Sequence, residues 1–494
     1  MSSGGNGVKG GSAGQSMGAT GGTSTTGGTG AAGGSSGSAG TSTGATGGSA
    51  GTGTAGAGMG TGGTPATGGA PATGGGMSSG GVTAGGTPGS GGMPAAGSGG
   101  VAGTGTSAGM GGGGGSAGAG EMHWVGTWAT GPQTTEQDNL PPTSLANNTL
   151  RQFAHVSIGG SQIRVRISNA YGKSTVTLTS VHIAKATTGG SASTIDTASD
   201  KALAFSGTES VSIQAGKEVW SDPLNFDLAA LSTVGISIAF GTQSGDVTGH
   251  PGSRTTSYIG TGNQVTAASI SAGVKTADHW YFLTGIDVMA PAAAKAIAIL
   301  GDSITDGRGS TTNMNDRWPD QLAKRLQANA ATANIAVLNL GIGGNAVVNG
   351  GLGPTATARF DSDILGQSGV RWVMVLEGVN DIGAGAQASG LTGAFQSFID
   401  KSHAKSLLIY GIPVLPFKGN SDYDSTAHQM VRTQVNDWIN AAGHFDKALP
   451  LDTAVADPAD PSKLLSAYDS NDHLHLSPAG YQKMADSIDL SLFQ

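Results

Sequence analysis

The sequence predicts an α/β protein: a doubly wound parallel sheet in the C-terminal part, preceded by a β-sandwich or jelly-roll domain and a disordered N-terminal tail. Three observations carry this expectation. Residues 1–120 contain a single charged side chain, Lys9, and no aromatic residue. Residues 121–290 break into short strand-like runs separated by turn signals, with almost no helical periodicity. From residue 291 to residue 494, strand-like and helix-like segments alternate, the pattern of βαβ units and a parallel sheet.

The tail holds more than half of the 89 glycines of the 494-residue chain, interspersed with Ser, Thr, Ala and occasional Pro. Such a segment cannot bury enough apolar surface to offset the roughly 1–2 kcal/mol per residue that ordering a backbone costs, so it reads as a disordered linker. Repeats such as PATGGAPATGG around Pro65 and Pro71 carry no hydrophobic face to stack, which fits a flexible spacer and not a solenoid. Ser12, Ser49, Ser107 and Ser116 each satisfy G-x-S-x-G, but none has a strand before it or a helix after it, and composition accounts for them. A neutral spacer before a folded region is common in exported proteins, so an extracellular or cell-surface location is expected. Residues 1–20 nevertheless show neither the basic nor the apolar region of a signal peptide. No run approaches the length of a membrane span, and the formal net charge is −8; neither a membrane span nor a nucleic-acid partner is expected. With no cysteine, disulfides and thiolate metal sites are excluded.

Composition changes at Glu121-Met122-His123-Trp124, where aromatic and charged residues appear together. Residues 147–158 read as strand, Gly159-Gly160 as a hairpin signal, and Ile163, Val165 and Ile167 alternate with Arg164, Arg166 and Ser168. Further strands are expected over 175–184, 211–214, 219–220, 234–240 and 281–288, which together make the sandwich. Trp124, Trp128, Trp220 and Trp280 suggest either core positions or a sugar-stacking platform. His250, in GHPGSRTTSY, reads as a surface loop histidine, with a position over a neighbouring active site as the alternative.

In the C-terminal part, Ala296-Ile297-Ala298-Ile299-Leu300 has no alternation and reads as a strand buried on both faces. Next come a helix carrying Trp318, Leu322 and Leu326 with Pro319 in its first turn, a strand over 335–340, and a strand over 370–376. A helix over 391–403, a strand over 406–412 and a helix over 426–441 follow, and the last helix opens at Ser477-Pro478 with an N-cap serine. Ser303 stands just past the end of the first strand, where ligands bind in open α/β sheets, and is the candidate nucleophile.

Gly301-Asp302-Ser303-Ile304-Thr305-Asp306-Gly307 resembles the first block of the GDSL, or SGNH, hydrolase family. Gly344 in NLGIGGN, Asn380 in EGVND, and Asp472 with His475 in DHLHLSPAGY resemble its other blocks, in the same order, over roughly residues 292–494. WVGTWATGPQ together with TLRQFAHVSIGGSQIRVRISNAYG resembles the N-terminal β-domain found in one branch of bacterial GDSL esterases. The resemblance implies a flavodoxin-like doubly wound sheet (the SGNH hydrolase fold) and an accessory β-domain. It further implies oxyanion donors in the backbone N–H of Ser303, the backbone N–H of Gly344 and the side-chain amide of Asn380.

The chemistry of these residues is that of acyl transfer. A serine hydroxyl needs a base, and His475 is the candidate set beside an acid at suitable spacing. Asp472, three residues earlier on a turn leading into a helix, is placed to accept from Nδ1–H and leave Nε2 for Ser303; Asp469 is the alternative acid. His473 reads as a solvated loop histidine. The expectation is a serine-dependent carboxylic ester hydrolase acting through an acyl-enzyme, without metal or cofactor, on small-molecule or polysaccharide-borne short-chain acetyl or aromatic esters. The alternatives are an inactive polysaccharide-binding surface protein, against which the intact residue set speaks, and a lipase for longer acyl chains, for which no amphipathic lid helix is visible. Gly341-Ile342-Gly343-Gly344-Asn345-Ala346 also fits a dinucleotide-binding loop with Asp361 downstream, but residues 349–354 interrupt the helix that should follow. Asp422 with Asp424, and Asp361 with Asp363, lack calcium-loop spacing and read as solvated turns.

Overall fold

The computed structural model describes residues 121–494. The expected disordered linker, with its four G-x-S-x-G serines, lies outside the described residues. The principal strands of the antiparallel part are β1 (Met122–Ala129), β2 (Asn148–His155), β3 (Gly160–Asn169), β4 (Val176–Lys185), β5 (Thr233–Phe240), β6 (Thr248–His250), β7 (Ser257–Thr261) and β8 (Leu283–Pro291), with shorter strands between them. One sheet sets β8 between β1 and β3, a second runs β7-β2-β5-β4, and β6 belongs to a third, smaller sheet; β2 and β3 lie in different sheets, so Gly159-Gly160 joins them without forming the expected hairpin. Ile163, Val165 and Ile167 of β3 are fully buried, as are Leu150 of β2 and Ile236 and Ile238 of β5, and all six belong to one core. The segment expected as one strand over 281–288 is interrupted at Phe282, whose φ of 61° breaks the extended run.

The alternate residues of β3 are not turned to water. Arg164 and Arg166 reach Ser368 and Gln367 of the α/β part at 3.1 and 3.3 Å, so this sheet is covered on both faces. That burial also settles the tryptophans. Trp128 and Trp280 pack edge to face in the core at 4.8 Å, while the Arg164 guanidinium lies over the rings of Trp124 and Trp220 at 4.7 and 4.3 Å. The four do not form a sugar platform; two are core and two stack on an arginine.

The principal elements of the α/β part are β9 (Lys295–Gly301), α1 (Ser303–Asp306), α2 (Trp318–Gln327), β10 (Ile335–Gly341), β11 (Val370–Leu376), α3 (Val379–Gly383), α4 (Ala388–Ala404), β12 (Leu408–Gly411), α5 (Thr426–Asn440), β13 (Lys447–Ala448) and α6 (Pro478–Asp486), with short helices and strands between them. The strand order is β10-β9-β11-β12-β13, parallel throughout, which in chain order of its five strands is the 2-1-3-4-5 arrangement of flavodoxin-like sheets. Residues 296–300 are all fully buried, as an apolar run without alternation requires. Helix α2 buries Trp318, Leu322 and Leu326 and carries Lys324 and Arg325 in its last turn, where cations suit the helix dipole.

Two features of this sheet position the site. The order reverses around β9, which opens a crevice beyond the carboxyl ends of β10, β9 and β11. Gly301 pairs in register with Gly341 on one side and Leu376 on the other, so the three strands end level. The β-domain joins this scaffold through a continuous apolar cluster that includes Val125, Val165 and Ile286 as well as Leu338 and Val375.

Candidate active site

Ser303 is the first residue of α1. Asp302 caps that helix by accepting from the Ile304 N–H at 2.9 Å, and burial, reinforced by Asp381 and Asp306, pushes the Asp302 carboxyl up to about 7. The helix lies so close over the neighbouring strand that a side chain at Gly341 would meet the backbone N of Asp306. Ser303 Oγ is 2.8 Å from His475 Nε2, and both residues are buried.

His475 belongs to a tight loop before α6. Its Nδ1 is 2.6 Å from Asp472 Oδ2, while Asp472 Oδ1 accepts from the N–H groups of His475 at 2.8 Å and Leu474 at 3.1 Å. Although burial opposes it, these bonds and the imidazole hold the Asp472 carboxyl down at about 2, so it is an acceptor at neutral pH. Nδ1 therefore carries the hydrogen and Nε2 presents a lone pair to Ser303. Burial also pushes the His475 pKa below the usual imidazole value, against the pull of Asp472, and Arg308 and Arg254 push in the same direction. Asp469 belongs to a second pair: its Oδ2 is 2.6 Å from Nδ1 of His473, whose side chain is 55% exposed. The loop thus gives each histidine its own acid and turns only His475 toward the serine.

Gly344 follows β10 with φ 71°, a left-handed conformation that glycine adopts without strain. Asn380 lies in α3, just past β11. Its Oδ1 accepts from Tyr423 Oη at 2.7 Å and its Nδ2 donates to the Asn345 carbonyl at 2.7 Å, leaving one amide hydrogen uncommitted. Among the described residues, the N–H groups of Ser303 and Gly344 have no protein acceptor.

A buried arginine ties these parts together. Arg359 donates to the carbonyls of Gly301 at 3.0 Å and Leu340 at 2.6 Å, to Asn345 Oδ1 at 3.0 Å and to the carboxylates of Asp363 and Glu377 at 3.3 and 3.4 Å. The ends of β9 and β10 and the residue after β11 therefore share one side chain. Asp381 adds a second tie by accepting from the N–H groups of Val347 and Val348 at 2.7 and 3.1 Å. Asp363 is buried against Arg359, contrary to the expectation of a solvated turn, whereas Asp361 is exposed and pairs with Lys401. Nothing in the sequence pattern around Arg359 announces it, because its partners come from three separate strand ends.

His250 also departs from the surface histidine expected. It is 3% exposed, its Nε2 is 2.8 Å from Asp306 Oδ1, and its Nδ1 is 2.8 Å from the Gly131 carbonyl. Asp306 is the last residue of α1, so the β-domain is attached to the helix that carries Ser303. The signal available in the sequence was Asp306 itself, a carboxylate within an otherwise buried turn.

The serine opens onto a cleft of about 830 Å3 lined by Ser303, Gly344, Asn380 and His475 and, from the β-domain, by Pro251 and Arg254. The dinucleotide loop is absent here: after Gly344 the chain makes an open loop and no helix starts before Ala356. Among the described residues there is no group of three metal-ligating side chains, and no helix is long and apolar enough to cross a membrane.

Residues 299–483 match the model of the GDSL-like Lipase/Acylhydrolase family. The chain carries a GDSL-like lipase/acylhydrolase domain. No curated protein matches the chain. Among solved structures, the chain is similar to a lipase/acylhydrolase from Enterococcus faecalis, with 18% identity over 40% of this chain and 95% of that one and a TM-score of 0.33. It is also similar to a catalytic mutant of an acetylxylan esterase from Geobacillus stearothermophilus (19% identity, 40% and 94% covered, TM-score 0.32). A third is a GDSL-like lipase from Bacteroides thetaiotaomicron (16% identity, 40% and 87% covered, TM-score 0.31). The GDSL-like domain is preceded in this chain by the antiparallel domain that supplies His250 and part of the cleft wall.

Proposed function

We propose that the GDSL-like domain is a serine carboxylic ester hydrolase that works through an acyl-enzyme. The observation that carries this reading is the chain of contacts from Ser303 Oγ to His475 Nε2 at 2.8 Å and from Nδ1 to Asp472 at 2.6 Å. In the first half-reaction Ser303 Oγ attacks the ester carbonyl carbon and its proton passes to His475 Nε2, while Asp472 stabilises the imidazolium that forms. The oxyanion takes the N–H groups of Ser303 and Gly344 and the free amide hydrogen of Asn380, donors of a kind worth roughly 2.7–4 kcal/mol each. Tyr423 fixes the rotation of that amide, so the donor is set before substrate arrives. The tetrahedral intermediate collapses as the imidazolium protonates the leaving alcohol. Water, activated by the same His475, then attacks the acyl-serine and releases the acid.

The acyl side is short. The oxyanion side of the cleft is bounded by Gly343, Gly344 and Asn380, and the only leucines lining the cleft are Leu352 and Leu474, which gives a long chain little surface to bury against. Pro251, Arg254 and His279 of the β-domain also line the cleft, and we assign the alcohol half to that wall, an arrangement that suits acetyl or aromatic esters borne on a polysaccharide. In a p-nitrophenyl series, kcat/KM is expected to be highest for acetyl to butyryl and to decline steeply by about eight carbons, as each unburied methylene forfeits up to about 0.8 kcal/mol. Rising activity toward sixteen carbons would show a lipase instead. An organophosphonate should label Ser303 alone; labelling at another serine would remove the assignment.

A further inference from the structure

The chain has ten arginines. Eight of them, at 151, 164, 166, 317, 325, 359, 371 and 432, donate hydrogen bonds to protein acceptors. Arg254 and Arg308 do not: among the described residues neither guanidinium has an ion-pair or hydrogen-bond partner, and the Nε of Arg254 is buried without one. Both line the cleft that contains Ser303, one from each domain. Unpaired guanidinium groups gathered in a cleft are unusual, because a planar fork of five donors is ordinarily matched to a carboxylate or phosphate.

Their backbones are fixed. Arg254 is held at φ 51°, a conformation disfavoured for a residue with a side chain. The Ser253 hydroxyl donates to the Thr255 carbonyl at 2.8 Å and accepts from the Thr255 N–H at 3.1 Å, and the Asn313 N–H donates to the Arg254 carbonyl at 2.9 Å across the domain seam. Arg308 follows α1: its N–H donates to the Ser303 carbonyl at 2.9 Å and its carbonyl accepts from Tyr481 Oη at 2.6 Å. The acids of the same cleft are otherwise engaged or peripheral. Asp472 and Asp306 hold histidines, Glu136 accepts from Gln133 and Asn139, and Asp422 is exposed and accepts from the Ser421 hydroxyl. The protein thus leaves the counter-charge to be supplied from outside.

Position indicates which half of a substrate supplies it. The oxyanion donors of Gly344 and Asn380 mark the acyl side, whereas His475 hands its proton to the leaving oxygen. Arg308 is held by Tyr481 of α6 and precedes Gly309, where a side chain would meet Leu476 and Ser470 of the loop that carries His475, so it stands on the leaving-group side; Arg254 lines the same cleft from the β-domain. Resting on the esterase reading above, we propose that Arg254 and Arg308 form an anion subsite for the alcohol half of the substrate, selecting esters whose alcohol carries a carboxylate. Charge-assisted, fork-shaped contacts to that carboxylate would position the leaving oxygen over His475.

The test compares two acetyl esters that differ in one charge, 4-acetoxybenzoate and methyl 4-acetoxybenzoate, on wild type, Arg254→Gln and Arg308→Gln. The ratio of kcat/KM for the anionic ester to that for the neutral ester cancels the general effect of each substitution. It is expected to fall by about tenfold to a hundredfold in each variant, mainly through KM, and to fall in wild type as salt is raised. An equal loss on both esters would overturn the subsite and leave the arginines a general influence on His475. If Arg254→Gln fails to fold, as its melting curve would reveal, Arg308→Gln on its exposed side chain decides, and an unchanged ratio there removes the proposal. Hydrolysis of neither ester by wild type, nor of any p-nitrophenyl ester, would bring down the esterase reading itself, and the subsite with it.

Discussion

Two histidine–aspartate pairs meet at the two ends of the same four-residue helix. At its start His475 and Asp472 adjoin Ser303; at its end His250, from the β-domain, adjoins Asp306. The residue types are identical and the hydrogen-bond distances are 2.6 and 2.8 Å. The difference lies in the second ring nitrogen. That of His475 faces a hydroxyl, which can give a proton, whereas that of His250 faces the Gly131 carbonyl, which can only accept one. His475 is therefore equipped to be a base, and His250, with both nitrogens turned to acceptors, is equipped to be a clamp. Chemistry follows from the third partner and not from the pair.

Substitutions on the two sides of α1 should separate these roles. Ser303→Ala and His475→Ala are expected to reduce kcat by about 10^5- to 10^6-fold with an unchanged melting temperature. Asp472→Asn should cost about 10^4-fold, because the imidazole loses the acceptor that fixes its tautomer. His475 must be neutral to take the proton, so kcat/KM falls as pH drops through its pKa. Burial sets that pKa below the usual 6.5, and the acid limb in wild type is expected there. Removing the carboxylate that pulls the value up should carry the limb lower still in Asp472→Asn; an upward move would contradict the assignment.

The other side of the comparison predicts a stability effect. His250→Ala strands Asp306 in a buried site and should cost roughly 3–5 kcal/mol of stability, read by chemical denaturation, with a smaller loss of kcat than any triad substitution. If His250→Ala abolished turnover while leaving stability intact, His250 would be a participant in the chemistry and the contrast would fail. The smallest effect is expected for His473→Ala. Its side chain is largely exposed, its pairing with Asp469 is worth at most about 1 kcal/mol, and turnover should stay within about twofold of wild type.

The comparison also explains what the sequence could convey. Buried strands without alternation, such as residues 296–300, and helices with a four-residue apolar spacing, such as α2, are local patterns and were legible. The pairing of Asp472 with His475 was legible for the same reason, since the two are three residues apart. His250 and Asp306 are separated by 56 positions and lie in different domains, and no periodicity links them. Arg164 and Arg166 show the same limit: alternation identified the strand, but the face they occupy is covered by a domain that period-two patterning cannot see. The sandwich is built from long-range pairings throughout, and its contacts were accordingly less readable than those of the βαβ units.

Arg359 has a consequence for how the site comes apart. One guanidinium bonds to Gly301, Leu340, Asn345, Asp363 and Glu377, so the turns after β9 and β10 and the residue after β11 cannot loosen separately without breaking bonds to the same buried charge. Opening of this floor is then a single cooperative event. The amides of Ile342, Val347 and Val348, although they lie in irregular loops, should exchange with solvent deuterium at one common, slow rate closer to that of the central strands than to that of ordinary surface turns. The Ser303 hydroxyl, the N–H groups of Ser303 and Gly344 and the Asn380 amide, contributed by separate stretches of chain, would in this way behave, on the timescale of hydrogen exchange, as one rigid unit.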